Sequence, residues 1–381
     1  MVITRIKLKN WKNFGDVDAI CGKRVFLIGP NASGKSNFLD VLRFLHDIVQ
    51  DGLEKAVDMR GGMTAVRYLC ARKPPDVKIV VCLDDKWEYG LSFTSDKGKP
   101  RITEEHVFLT DENGVKKQLL VRPNDEDKSD ILRLTQTALQ QVNANKDFRA
   151  IADFFKSIEY RHILPQLVRD PKSFSPSPII NDPFGRDLVM QIWNTPINKR
   201  SSRLKKINEV LTIAVPQLSN LSVEQDITTG LTHLVVNYVH WRPNAGSQKE
   251  ESFSDGTLRL LALLWSIFAA KGPLLLEEPE LSLHEEIVRQ LPDIFLRLDK
   301  TRKKAARQIF ITTHSQAMLE NPGIGANEIL RLFPDNEGTK IYAADEQEKQ
   351  LMKEGLTVAE VILPKTRPRQ MVGQLDLWSL L

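Results

Sequence analysis

Gly29-Pro30-Asn31-Ala32-Ser33-Gly34-Lys35-Ser36, followed by Asn37, is the stretch on which the reading of this chain turns. Its spacing fits the Walker A pattern in full: two glycines with four residues between them, then a lysine and a hydroxyl residue. Glycine lets the backbone wrap closely enough for its N–H groups to hold phosphate oxygens. Upstream, Arg24 to Ile28 is almost continuously apolar, as a buried parallel strand should be. Downstream, Phe38, Val41, Leu42, Leu45 and Ile48 recur at helical spacing on one face. Strand, loop and helix in that order aim the partial positive charge of a helix start at an anion. In such a loop Lys35 reaches the β- and γ-phosphates of a nucleotide and the Ser36 hydroxyl ligates Mg²⁺. A chance glycine-rich turn would not satisfy pattern and context together.

Alone, the loop would suit a GTPase, a kinase or any other P-loop fold, and the C-terminal third decides among them. Leu274-Leu275-Leu276-Glu277-Glu278-Pro279-Glu280 reads as an apolar strand ending in two acids. Carboxylates at a strand's C-terminal edge fall in the crevice where open α/β sheets bind ligands. One can hold Mg²⁺ and its waters, and the next can polarise an attacking water as general base. Read blandly, such an acidic pair is a solvated turn. His314, in Ile309-Phe310-Ile311-Thr312-Thr313-His314-Ser315, ends the next strand, where a lone histidine is often a satisfied polar residue. Ser254-Asp255-Gly256-Thr257 precedes a helix carrying Leu258, Leu261, Leu264 and Phe268, and taken alone it is an N-cap. The order carries the weight: phosphate loop, long insertion, SDGT helix, strand with EEPE, helix, strand with TTHS.

Length and composition set the frame. The 381 residues, 41% hydrophobic and 27% charged, can bury one large core or two modest ones. A net charge of +4 permits nucleic-acid contact without arguing for it. Cys21, Cys70 and Cys82 show no paired spacing and read as reduced structural thiols of a cytoplasmic protein. The N-terminus lacks the apolar core of a signal peptide. The longest apolar run, Leu260 to Ala270, is shorter than the roughly 18 residues that span a bilayer. No membrane partner is expected.

Between the motifs, residues 76–122 contain short β-like stretches (Val77 to Cys82, Trp87 to Phe93, His106 to Leu109, Gln118 to Val121) and predict a peripheral antiparallel lobe. From about 125 to 215 the pattern is helical but punctuated by Pro165, Pro171, Pro176, Pro178, Pro183 and Pro196, which excludes a long coiled coil. The expected division is 1–124, the N-terminal half of an α/β head with a mixed central sheet; 125–215, a helical insertion; 216–335, the C-terminal half; and 336–381, a tail with a helix at Ala344 to Lys353.

These motifs together resemble the ABC-type ATPases of the RecF, SMC and OLD group, and above all compact prokaryotic ATPases with GPNxSGKSN, SDGT, EEPE-x-x-LH and TTHS. The likeness covers residues 1–65 and 230–320. It implies ATP and Mg²⁺ as cofactors, with Gly29 to Asn37 around the phosphates and Ser36 and Glu277 on the metal. Glu278 stands as the catalytic glutamate and His314 as the switch histidine. Ser254, Asp255, Gly256 and Thr257 occupy the signature position, which in that family caps the γ-phosphate held by a second subunit. Pro279 to His284 resemble the loop that crosses the dimer interface. Trp11-Lys12-Asn13-Phe14 resembles an element near the base, or else contributes Trp11 and Phe14 to the core. Arg60-Gly61-Gly62 lies where the linking segment falls, without a clear glutamine. Glu277 departs from the pattern, which usually has aspartate there.

The resemblance implies a homodimer or higher oligomer clamped by ATP and released by hydrolysis. Only 67 residues follow His314, too few for a Toprim nuclease, so any effector would be a separate protein. Three readings stay open: an anti-phage defence ATPase controlling a nuclease or Toprim-like effector; a RecF-like repair ATPase touching DNA through Arg302-Lys303-Lys304 and Lys365 to Arg369; and a nucleotide-locked scaffold with little turnover.

Overall fold

The computed structural model describes residues 1–71, 73, 75–171, 182–239, 246–300 and 307–366. They form two compact units, Met1–Lys156 with the chain from Leu319 onward, and Ser157–Met318.

In the first unit the strands are β1 (Ile3–Trp11), β2 (Phe14–Ile20), β3 (Arg24–Ile28), β4 (Val77–Leu83), β5 (Trp87–Asp96), β6 (Lys99–Thr110) and β7 (Lys116–Arg122). Six of them make an antiparallel sheet ordered β2-β1-β4-β5-β6-β7. The expected peripheral lobe is therefore real, and it also takes in the two N-terminal strands. Along β1, Ile3, Ile6 and Leu8 are buried while Arg5, Lys7 and Lys9 are exposed, the period-two pattern of a sheet with one wet face. Leu8 faces Ile79 on one side and Val17 on the other.

The helix Lys35–Asp51 buries Phe38, Leu39, Val41, Leu42, Phe44, Leu45 and Ile48. Trp11 meets Phe44 in a tilted contact at 5.0 Å, Phe44 in turn meets Phe93 at 5.6 Å, and Phe14 meets Phe38 edge-on at 6.3 Å. Trp11 and Phe14 are thus core residues. A buried ion cluster braces β6 and β7. Arg122 donates to both oxygens of Asp127 (2.8 and 3.0 Å) and to Glu105 (2.9 Å). Glu105 also accepts the amides of Ala138 and Leu139 and the hydroxyl of Tyr89, so no charge in the cluster is left unpaired.

The second unit holds β8 (Glu159–Arg161), β9 (Leu218–Gln225), β10 (Thr232–Tyr238), β11 (Ser247–Lys249), β12 (Leu274–Glu277) and β13 (Ile309–Thr312). β12 lies between β13 and β8 and is parallel to both. Buried on both sides, it can be apolar without alternation. β9, β10 and β11 form an antiparallel ribbon. The helix Asp255–Ala269 is buried from Thr257 to Ile267, in keeping with its all-round apolar sequence. Residues 125–215 are not purely helical, because β8 extends the parallel strands. It is three residues long, too short to show a period.

Back in the first unit, β14 (Ile329–Phe333) runs parallel to β3 and antiparallel to β15 (Lys340–Ala343). The C-terminal helix begins at Glu346, because Asp345 caps it by accepting the Glu348 amide at 2.8 Å. Among the described residues no helix is long and apolar enough to cross a membrane. Cys21 is buried, its thiol pushed up to about 12 by desolvation, whereas Cys70 is exposed and does not fit the reading of three buried structural thiols. Pro176, Pro178, Arg302-Lys303-Lys304 and the tail from Arg367 lie outside the described residues.

Candidate functional site

In the first unit β3 ends at Ile28 and the loop turns through Gly29 to Gly34 into the helix Lys35–Asp51. The turn needs its residue types. A Cβ on Gly29 would lie 2.5 Å from the Leu332 carbonyl oxygen and 2.7 Å from Ser33 Oγ. Gly34 has φ +95°, and a Cβ there would strike the Asn13 amide at 2.1 Å. Ala32 takes φ +61°, sparsely populated by non-glycine residues. Such alternation of left-handed and ordinary backbone turns successive N–H groups inward.

The Lys35 ammonium lies across the loop and donates to the carbonyls of Gly29 and Pro30, both at 3.1 Å. Ser33 Oγ is buried with no partner among the described residues. The helix caps on glycine, with no side-chain cap hydrogen bond at its N-terminus among the described residues, while Ser36 is exposed and Asn37 half-buried in the first turn. A phosphate fits this cradle: inward amides, a helix start and an ammonium converge where no Cβ intrudes.

Residues 11–14 brace the loop. Asn13 donates to Ser33 O (3.3 Å) and Thr339 Oγ1 (2.7 Å) and accepts from Asn37 Nδ2 (2.8 Å). Trp11 Nε1 donates to Asn37 O at 3.0 Å. Arg60, expected in the linking segment, forks onto Asp40 at 2.9 Å through each nitrogen and also reaches Asp47. Burial would raise the Asp40 carboxyl, but Arg60 and Lys12 outweigh it and hold it below the usual range.

In the second unit the acids stand at the carboxyl end of β12. Glu277 is half-buried and accepts a hydrogen bond from the Tyr160 hydroxyl of β8. Glu278 takes φ +43°, and its amide donates to both the carbonyl (3.1 Å) and the hydroxyl (3.2 Å) of Thr312. A glutamate held in the left-handed region at a strand end is strain of the kind that collects at working sites. His314 Nε2 lies 3.7 Å from Glu278 Oε1.

Glu280 accepts from Thr313 Oγ1 (2.6 Å) and the His314 amide (3.2 Å), and burial raises its carboxyl above the ordinary value. Arg259, from the helix behind, is buried, reaches the Glu278 carbonyl at 3.5 Å and has its pKa lowered by desolvation. Its Nε and Glu280 Oε2 are buried without partners among the described residues.

The SDGT segment opens the helix Asp255–Ala269. Ser254 accepts the Thr257 amide at 3.2 Å, and the two hydroxyls meet at 2.8 Å. Asp255 is held by Arg169 (2.6 Å) and Gln166 (2.9 Å). A Cβ on Gly256 would stand 2.6 Å from Ser282 O, so only glycine lets this helix start touch the loop after Glu280. Glu277, Glu278 and His314 stand at neighbouring strand ends, and Gly256 packs against the loop that follows Glu280. Sequence reasoning missed Tyr160, Arg169 and Arg259, and it took Glu280 only as part of the Pro279 to His284 loop, not as an acid held at the site.

Comparison with known proteins bears on the fold and the family. The family described as "AAA domain, putative AbiEii toxin, Type IV TA system" matches residues 24–320. No curated protein matches the chain. An SMC head bound to the C-terminal winged-helix domain of ScpA superposes with a TM-score of 0.52 at 17% identity, over 91% of this chain and 99% of that one. The SMC head of Thermotoga maritima gives 0.45 at 13% identity, over 91% and 100%. The chain shares the fold of the ScpA-bound SMC head, α/β with the loop that precedes Lys35. With the match spanning most of its length, the chain belongs to this family of AAA-domain proteins.

Proposed function

We propose that this chain binds ATP with Mg²⁺ in the Gly29–Asn37 loop, hydrolyses it slowly, and uses the cycle to switch self-association and the control of a partner protein. The observation that carries the proposal is the loop itself: left-handed backbone at Ala32 and Gly34, no room for a Cβ at Gly29, and the Lys35 ammonium drawn across it. Bound Mg²⁺ would neutralise phosphate charge, with Ser36 and Glu277 as its protein-side partners. Lys35 binds the β- and γ-phosphates, and Glu278 accepts the proton of the attacking water. His314, beside Glu278, orients toward the γ-phosphate. Ser254 to Thr257 of a second copy offer another helix start to that phosphate. ATP thereby favours the paired state, and hydrolysis releases it.

The family's description, which names a type IV TA system, supports placing the switch in a conflict system of that kind. The SMC head solved with ScpA is a protein of this fold that carries a partner. The test is sedimentation of the Glu278→Gln variant with and without ATP and Mg²⁺, beside phosphate release by the wild type. ATP-dependent association and wild-type turnover are expected. A chain indifferent to ATP in both assays ends the proposal.

A further inference from the structure

The acid that ends β12 is one methylene longer than the aspartate the motif usually carries, and the strand beside it supplies a group that meets the extra reach. β8 runs parallel to β12, with Tyr160 paired to Leu275. Side chains alternate along a strand, so Tyr160, Leu275 and Glu277 stand on one face, and an aromatic ring can span to the residue two further along. The Tyr160 hydroxyl does so and donates to Glu277 Oε2. An aspartate at 277 would carry its carboxylate about 1.5 Å nearer the backbone, the length of one carbon–carbon bond, and would fall short of that hydroxyl.

We propose that Tyr160 is a positioning residue for Mg²⁺ retention, and that Glu277 and Tyr160 form a matched pair in which the longer acid works only because the phenol holds it. The inference rests on the reading of Glu277 as a metal carboxylate. A free glutamate at a strand end samples several rotamers, and the tyrosine confines it to one by a hydrogen bond to the ionised group. Outer groups that orient a metal carboxylate typically change metal affinity by about 10–100-fold when removed. The pairing also accounts for a tyrosine hydroxyl in a three-residue strand that sequence patterning does not register.

The experiment is a Mg²⁺ titration of fluorescent-ATP binding by the wild type, Tyr160→Phe, Glu277→Asp and the double variant, with nucleotide affinity in EDTA and thermal melting alongside. Tyr160→Phe should raise the Mg²⁺ half-saturation about tenfold and leave affinity in EDTA unchanged. Glu277→Asp, which keeps the tyrosine, should do likewise from the other side. The double variant should be no worse than the poorer single one, since each change breaks the same contact. A half-saturation unmoved by Tyr160→Phe overturns the inference, as do single effects that multiply in the double variant. If the wild type itself binds no nucleotide, the ATPase reading fails with it; Mg²⁺-dependent binding by the wild type with an indifferent Tyr160→Phe removes this inference alone.

Discussion

His314 Nε2 lies 3.7 Å from Glu278 Oε1 across the ends of the parallel strands β12 and β13. That separation is too long for a hydrogen bond, yet it sets a carboxylate and an imidazole around one small volume. Glu278→Gln should keep nucleotide affinity within a few-fold and lower turnover by about 10²-fold or more. His314→Ala should fall between that variant and the wild type. Phosphate release under saturating ATP checks both, and full activity in Glu278→Gln would remove it as the base.

Lys35 makes charge-assisted bonds that a neutral side chain cannot replace. Lys35→Ala should weaken ATP binding by about 1.5–3 kcal/mol, or ten- to a hundredfold. Fluorescent-nucleotide titration reads this directly. Gly34→Ala should fail more broadly, losing nucleotide affinity and melting temperature together, because it combines φ +95° with a clash against Asn13.

Gly256→Ala places a Cβ 2.6 Å from a backbone oxygen that cannot swing aside, and overpacking of this kind costs about 1–3 kcal/mol. Ser254→Ala removes only the cap, at about 1 kcal/mol. Chemical denaturation should therefore rank Gly256→Ala below Ser254→Ala in stability, with both below the wild type.

Acid should loosen the first unit through Asp127. Hydrogen bonding to Arg122 lowers its pKa to about 2, below the ordinary value of 3.8. A depressed carboxylate contributes stability above its unfolded value and loses it as pH falls through the folded one. The loss therefore falls between about pH 5 and 2 and amounts to about 2 kcal/mol. Glu105 acts in the opposite sense, since burial raises its carboxyl, and it offsets part of the change. Asp127→Asn should flatten the acid limb of a pH–stability curve and lower stability by about 3–5 kcal/mol, because Arg122 is left half-paired. An unchanged acid limb would remove Asp127 as the source.

Where local pattern and local chemistry coincide, the sequence is explicit. The phosphate loop, its strand and its helix are legible because spacing, apolar runs and glycine all report on neighbouring residues. Glu278, His314 and Ser254 are legible for the same reason, each sitting at an element's end. Tyr160 and Arg169 are not, because their meaning depends on partners 117 and 86 residues away. Trp11 and Phe14 could be read either as core or as site residues, since an aromatic beside a loop has the same pattern in both. The left-handed conformation of Glu278 leaves no trace in a sequence, for it is imposed by Thr312 from the next strand.

The stretch from Tyr160 to Arg169 holds Glu277 at one end and Asp255 at the other. It works as a splint between two motifs that the chain order keeps apart. A protein that gripped or pried loose these ten or so residues would shift Glu277 and the SDGT helix start in a single act.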